Sequence, residues 1–239
     1  GSLLVLGLLL FSMARLGRVL GGDWRAGRVA MGLMIVVPVV YQGTWNATPT
    51  LGVMTGVSLA LWALLSERGG LTSIPGAVSA GLLVALATRW GESAGDGLLV
   101  LAALGGPVLV AAVSALMRPG QRWRALSMLG LFVGSVLVFA DVPWLIRHLK
   151  VYVVSEAGLE GGVEPARVLT SGRALVDAVA MSLLSPLVAA IVALGWGGLI
   201  WRRARDWRVV ALASSVLGPS LVLCLSAKLH DYHAAVLIP

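Results

Sequence analysis

Residues 97–140 read GLLVLAALGGPVLVAAVSALMRPGQRWRALSMLGLFVGSVLVFA, two apolar runs on either side of a short gap that carries Arg118, Arg122 and Arg124. A helix needs about 20 predominantly apolar residues to cross a bilayer, with a range of about 17–25. Both runs approach or meet that length. The stretch therefore predicts two membrane helices that run in opposite directions and meet at a short basic turn.

The same alternation extends along the whole chain, because every second gap between apolar runs is rich in arginine. These gaps hold 12 of the 18 Lys and Arg residues but only three acidic residues, and their net charge is +9. The intervening gaps hold six basic and eight acidic residues, a net charge of −2. Short loops rich in Lys and Arg stay on the cytoplasmic side of a membrane. We therefore predict a multi-pass protein of the cell inner (plasma) membrane with its basic loops in the cytoplasm.

The composition excludes a soluble globular domain. Hydrophobic residues make up 58% of the chain and charged residues 12%, whereas soluble domains average about 45–50% and about 25%. The net charge of +7 would suit nucleic acid, but the basic residues lie between apolar runs, where they meet anionic headgroups. We therefore expect membrane lipid, and no nucleic acid, as a partner. The single cysteine, Cys224, excludes an internal disulfide.

The expected fold is all-α, a polytopic transmembrane helix bundle with a juxtamembrane helical outer loop at 141–177. Small residues, among them 30 glycines, allow close helix packing in lipid. We expect a single transmembrane domain over 1–239, an internal piece of a longer protein, with about eight spans and the start of a ninth near Tyr232. The predicted spans are 3–16, 26–42, 51–65, 72–88, 97–117, 125–140, 178–201 and 209–227.

Two outer segments combine basic and aromatic residues at membrane boundaries. Residues 142–154, VPWLIRHLKVYVV, have the composition of a helix in the headgroup region, where Arg147 and Lys150 would reach phosphates. Lys228 and Tyr232 follow the last complete apolar run. A charged residue at a membrane boundary is a candidate functional residue. The spacing of Lys228 and Tyr232 is equally consistent with a lysine that extends out of the apolar layer beside an interfacial tyrosine.

Signatures of soluble enzymes are absent from the chain. There is no GxGxxG after a strand, no Walker loop and no HExxH. The cluster HDYH at 230–233 could ligate a metal in principle, but we interpret it as a chance cluster at a membrane boundary. We therefore expect no metal site.

The C-terminal string LCLSAKLHDYHAAVLIP, residues 223–239, resembles a segment of glycosyltransferases of the GT-C fold that use lipid-linked sugars. The bacterial aminoarabinose transferases of lipid A and the protein O-mannosyltransferase relatives carry that segment. Lys228, Tyr232 and Pro239 match it, whereas Ala235 stands where the family has its first proline. Four further stretches resemble the family in the same order, namely 14–38, 43–65, 74–90 and 139–152.

The resemblance implies transfer of a sugar from a polyprenyl-phosphate donor to a lipid or protein acceptor on the non-cytoplasmic face. No cofactor is implied beyond this donor substrate. In such an enzyme cationic groups steady the phosphate leaving group. The residues that the resemblance assigns to the donor phosphate are Arg147, Lys150, Lys228 and Tyr232. Glu164 and Arg167 form either a loop ion pair or acceptor contacts, and we favour the ion pair.

Two departures from the family leave the catalytic residues unassigned. The outer loop that carries the family's catalytic carboxylate would precede Gly1, and no Asp stands near Pro49 or Thr50, where many members have one. Either the acid lies in a preceding part of the protein, or this member is divergent or inactive. The alternative functions are a non-enzymatic transporter or flippase domain and a scaffold subunit. The near absence of charges within the spans argues against a transporter.

Overall fold

The computed structural model describes residues 2–37, 40, 49–66, 70–89, 94–118, 120–143, 146, 172–177 and 186–225. Within these residues every regular element is a helix, and no strand occurs. The α-helices are α1 Ser2–Gly21, α2 Trp24–Ile35, α3 Pro49–Leu65, α4 Ile74–Arg89, α5 Ala94–Leu116, α6 Arg122–Phe139, α7 Pro186–Arg203 and α8 Trp207–Leu225. A short 3-10 turn, Gly70–Thr72, precedes α4. The predicted all-α class is thus confirmed over the described part of the chain.

Several of these helices have the length and apolarity of membrane spans. Four qualify by length and composition, Ser2–Gly21, Gly97–Leu116, Arg122–Phe139 and Trp207–Cys224, and the apolar helices Leu51–Leu65 and Ile74–Arg89 are shorter. Large apolar side chains also face outward, as on α7, where Leu194 is 78% exposed. These features are those of a helical membrane protein, while the count of about eight spans stays a prediction.

Two helices end five or more residues away from the end of the predicted span. The first span was predicted to end at residue 16, but α1 continues to Gly21, and Arg15 within it lies over the rings of Phe11 and Trp24. The second was predicted to reach residue 42, but α2 ends at Ile35. Pro38 follows shortly and has no amide hydrogen to continue a helix, and helices usually end before such a residue.

Helix α3 lies at the centre of the bundle and packs against α1, α4 and α5. Its side chains from Leu51 to Leu65 are almost all buried. The hydroxyl of the fully buried Thr55 donates to the carbonyl of Leu51, 2.7 Å away, and lies 3.3 Å from the carbonyl of Val5 on α1. Such bonds satisfy polar groups where no water reaches them and join two helices in lipid.

The pair α5 and α8 packs through small residues. A Cβ at Gly106 of α5 would come within 2.6 Å of the Ser214 side chain on α8, and one at Gly218 of α8 would meet the carbonyl of Ala102 on α5. Since residue numbers rise on one helix as they fall on the other, the two helices are antiparallel. In lipid the hydrophobic effect does not drive helices together, so close packing through small residues stabilises this pair.

A tight turn joins α1 and α2. Gly22 has a φ of +86°, a conformation that L side chains rarely adopt. The next residue, Asp23, caps α2 by accepting a hydrogen bond of 2.9 Å from the amide of Ala26. This turn brings the aromatic and basic residues at the end of α1 against those at the start of α2.

Candidate functional site

The residues that the sequence assigned to the donor site all lie outside the described residues. This holds for Arg147, Lys150, Lys228 and Tyr232, and also for Glu164 and Arg167. The neighbouring boundary is described: the Arg89 guanidinium lies 3.9 Å from the Asp141 carboxylate, so the ends of α4 and α6 meet. The assignment of Arg147, Lys150, Lys228 and Tyr232 to a donor phosphate therefore stays a prediction.

The described residues form a different site at the opposite end of the bundle, where the basic gaps converge. The guanidinium of Arg203, at the end of α7, donates to the carbonyl of Leu20 at the end of α1. Arg118, which follows α5, and Arg208, at the start of α8, line one cavity together with Thr72 before α4. Described residues from each of the four arginine-rich gaps therefore lie at one end of the helices, which we call the basic end.

The cavity at the basic end has a volume of about 50 Å³. The ends of α3 and α5, the turn before α4 and the start of α8 enclose it. Leucine and alanine side chains form its apolar wall, and the polar lining consists of Ser66, Thr72, Ser114, Arg118, Trp207 and Arg208. Its described polar lining thus comprises two guanidinium groups, three hydroxyl groups and the Trp207 indole.

The start of α8 fixes the position of Arg208. The Asp206 carboxylate accepts a hydrogen bond of 3.0 Å from the backbone amide of Arg208, and the Asp206 carbonyl accepts one from the amide of Val209. The Arg208 guanidinium lies 5.7 Å from the centre of the Trp207 ring. Asp206 therefore caps α8, and its negative charge is favourable there because the N-terminal end of a helix dipole is positive.

A second cluster of guanidinium and aromatic groups lies on the α1 side of α3. The Arg15 guanidinium is 5.1 Å from the ring centres of both Phe11 and Trp24 and 6.0 Å from that of Trp62. Arg18 lies 4.6 Å from the Trp24 ring. The Nε of Arg15 is buried, and no hydrogen-bond partner for it occurs among the described residues. Cation–π contacts in such a site contribute about 0.5–2 kcal/mol, so this cluster holds α1, α2 and α3 together.

The described polar side chains that line the cavity of the basic end are hydrogen-bond donors. No group of three or more His, Cys, Asp or Glu side chains that could hold a metal occurs in the described residues. Arginine forks and hydroxyl donors recognise phosphate and carboxylate oxygens, and neither is a general base near neutral pH. Sequence reasoning placed Arg118 and Arg208 at one membrane face but did not group them with Ser66, Thr72 and Ser114. Hydroxyl residues beside successive basic gaps are the signal that could have revealed the group.

The fold and the apolar outer surface define the class of this protein as a helical membrane protein. Comparison of the chain with protein-family models, with curated proteins and with solved structures finds no match. The family resemblance therefore rests on the quoted residues alone.

Proposed function

We propose that this chain is the membrane domain of a polyprenyl-phosphate-sugar glycosyltransferase of the GT-C type, with about eight spans in the inner membrane. The sugar goes to a lipid or protein acceptor on the non-cytoplasmic face. The observation that carries the proposal is the ordered resemblance along the chain, which ends in residues 223–239 with Lys228, Tyr232 and Pro239.

The directions of the helices support a common donor site for the two outer segments. Both α4 and α8 begin beside the cavity of the basic end, so their last residues point to the opposite end. The end of α6 joins the end of α4 there through Arg89 and Asp141. Arg147 follows the last residue of α6 by eight positions, and Lys228 follows the last residue of α8 by three.

Cations at that end suit the chemistry of the proposed reaction. The acceptor hydroxyl forms a bond to the anomeric carbon and gives its proton to a base. The bond between that carbon and the phosphate oxygen breaks, and the polyprenyl phosphate leaves with additional negative charge. Positive groups held in place before the reaction lower the barrier by stabilising that charge. Arg147 supplies a bidentate fork, Lys150 and Lys228 supply compact charges, and Tyr232 donates a hydrogen bond to the same phosphate. The catalytic base is not assigned to this chain.

The distribution of charge over the described helices disfavours the transporter alternative. Helix α3 has no ionisable residue, and the Lys, Arg, Asp and Glu residues of the other described helices lie within seven positions of a helix end. Transport sites are commonly built from ionisable groups or broken helices near the middle of the bilayer.

A photoaffinity experiment tests the proposal on the chain itself. The chain is placed in lipid nanodiscs and exposed to a diazirine-bearing polyprenyl-phosphate sugar, with the unlabelled compound as competitor. A charge-assisted contact is worth about 1.5–3 kcal/mol, so Lys228→Ala should lower specific labelling roughly 10- to 100-fold. The control is Arg122→Ala, which removes an exposed charge at the basic end. Equal labelling of wild type and Lys228→Ala would contradict the proposed site.

A further inference from the structure

We propose that the last part of α8, residues 219–225, is a hinged arm that bends at Gly218–Pro219 against the rest of the bundle. This part, which we call the α8 arm, lies at the end of α8 away from the basic end. The inference is carried by one arrangement. The two glycines that allow α5 and α8 to touch are each followed directly by a proline inside the helix, as Gly106–Pro107 on α5 and Gly218–Pro219 on α8.

The two prolines interrupt both helices in the same section of the pair. Proline has no amide hydrogen for the carbonyl four residues earlier. The carbonyls concerned are those of Ala103 on α5 and Ser215 on α8, and both residues are almost fully buried. Because the helices are antiparallel and Gly106 lies against Ser214, the two missing hydrogen bonds fall close together along the pair. Sharp bends of helices occur at interruptions of this kind.

The serine hydroxyls near Pro219 do not replace the missing bond in α8. Those of Ser214, Ser215 and Ser220 each donate to another carbonyl of α8 over 2.7 Å, and not to the carbonyl of Ser215. In membrane helices such hydroxyls can satisfy a carbonyl that a proline has freed. The helix is therefore weakest between Ser215 and Pro219.

The two parts of α8 also differ in how they are held. Before the hinge, Val209 and Ala211 are buried in the core. Among the described side chains beyond Pro219, the one large apolar group that is fully buried is Leu223, whereas Leu221 is 64% exposed. Local opening is easiest where few apolar side chains are buried. The first part is thus fixed in the bundle, and Leu223 is the main anchor of the α8 arm.

The α8 arm packs against a described residue of another segment. The Sγ of Cys224 lies 3.7 Å from the position that a Cβ at Gly172 would take. Cys224 lies about 9 Å along the helix from Gly218, so a bend of about 20° moves it sideways by about 3 Å. A displacement of that size breaks the contact with Gly172 and opens the thiol to small reagents.

The hinge has a consequence for the outer segment that follows α8. Lys228 comes three positions after the last residue of α8. A bend at Pro219 moves the point from which that segment starts, so the packed arm holds the segment in place for the donor phosphate and the bent arm releases the product. This consequence rests on the proposed function, whereas the hinge itself does not.

The experiment uses the single native cysteine as a probe of the α8 arm. The reaction of Cys224 with a small maleimide is followed by mass spectrometry in lipid nanodiscs, at concentrations where its rate is proportional to the open population. Pro219→Ala restores an amide donor for the carbonyl of Ser215, and it should slow the reaction about two- to tenfold, the worth of one hydrogen bond. Leu223→Ala removes the anchor and should accelerate the reaction at least about tenfold.

Pro107→Ala is the matched control, because it restores a bond in the same section of the pair but on α5. It should leave the rate at Cys224 within about twofold of wild type, since distant sites act independently. An unchanged rate in Pro219→Ala, or an equal slowing in both proline variants, would overturn the hinge. The free energy of unfolding is measured for every variant. A faster reaction in Leu223→Ala that only follows a loss of global stability would also contradict a local bend.

The photoaffinity assay separates the hinge from its part in donor binding. If Pro219→Ala slows the reaction of Cys224 and also changes labelling by the polyprenyl-phosphate sugar, the hinge acts on the donor site. Slower reaction with unchanged labelling would support the hinge and contradict its role at that site.

Discussion

Gly218 of α8 lies directly against the backbone carbonyl of Ala102 on α5, with no room between them for a side chain. Four residues away on each helix, a Cβ at Gly106 would come within 2.6 Å of the Ser214 side chain. The two contacts run in opposite directions along the sequence, so α5 and α8 are antiparallel. This pairing holds the cavity together, since α5 ends beside it and α8 begins beside it.

Replacing Gly218 by alanine should weaken the α5–α8 contact. The new methyl group would press on a backbone carbonyl, which cannot move as a flexible side chain can. Overpacking of this kind costs about 1–3 kcal/mol. The measurement is the free energy of unfolding by denaturant titration in detergent micelles.

The matched control for that variant is Gly195→Ala on α7. A Cβ at Gly195 has no neighbour within 4 Å, and alanine is favoured over glycine in helices by about 0.5–1 kcal/mol. The two variants should therefore change stability in opposite directions. Unchanged stability in Gly218→Ala, or an equal loss in both variants, would contradict a specially tight α5–α8 contact.

Replacing Arg15 by glutamine should destabilise the packing of α1 against α2 and α3. The substitution removes the cation from the faces of Phe11, Trp24 and Trp62. Cation–π contacts of this kind contribute about 0.5–2 kcal/mol. The free energy of unfolding and the tryptophan fluorescence spectrum report the change. Arg28→Gln, at an exposed arginine of α2, should leave both within about 0.5 kcal/mol of wild type. An equal loss in Arg28→Gln would mean that net charge, not ring stacking, stabilises this end.

Replacing Arg89 by glutamine should have a small effect. The Arg89–Asp141 pair has an N–O distance of 3.9 Å, and both side chains are at least half exposed. Exposed pairs contribute about 0–1 kcal/mol and are screened by salt. The free energy of unfolding should therefore fall by less than about 1 kcal/mol at low salt and be unchanged at high salt. A large loss that persists at high salt would contradict the exposed position of the pair.

The sequence predicted the helices better than their pairing. The predicted span 51–65 and the helix Pro49–Leu65 agree closely, because a long apolar run without charges has few alternatives in lipid. The run is apolar on every side, so periodicity does not tell which neighbours α3 meets. The contact of Gly218 with Ala102 depends on three-dimensional shape, and it was not predicted.

The grouping of residues at the basic end and the positions of the helix ends also depend on three-dimensional packing, which the sequence pattern does not show. The charge alternation predicted that arginines from four gaps share one membrane face, but not that Arg118 and Arg208 line one cavity. The first predicted span was 3–16, whereas α1 extends to Gly21. The charge of Arg15 lies over the rings of Phe11 and Trp24, and α1 continues past it.

The proposed donor site predicts a short distance between two outer segments. Lys150 and Lys228 should have Cα atoms within about 20 Å of each other, since two long side chains share one phosphate, a reach judged from backbone dimensions. Spin labels at Lys150→Cys and Lys228→Cys, in a Cys224→Ser background, measure the distance by double electron–electron resonance. Separations well beyond that reach would remove the shared phosphate site.

The central claim is that the basic end faces the cytoplasm and the proposed donor site faces the other side. Because Cys224 is the single cysteine, Cys224→Ser allows one new cysteine at a time, at Gln121 of the basic end or at Ala157 of the outer loop. A membrane-impermeant maleimide applied to intact cells should label the cysteine at 157 and reach the one at 121 only after permeabilisation. Labelling of both positions from the same side would contradict the account.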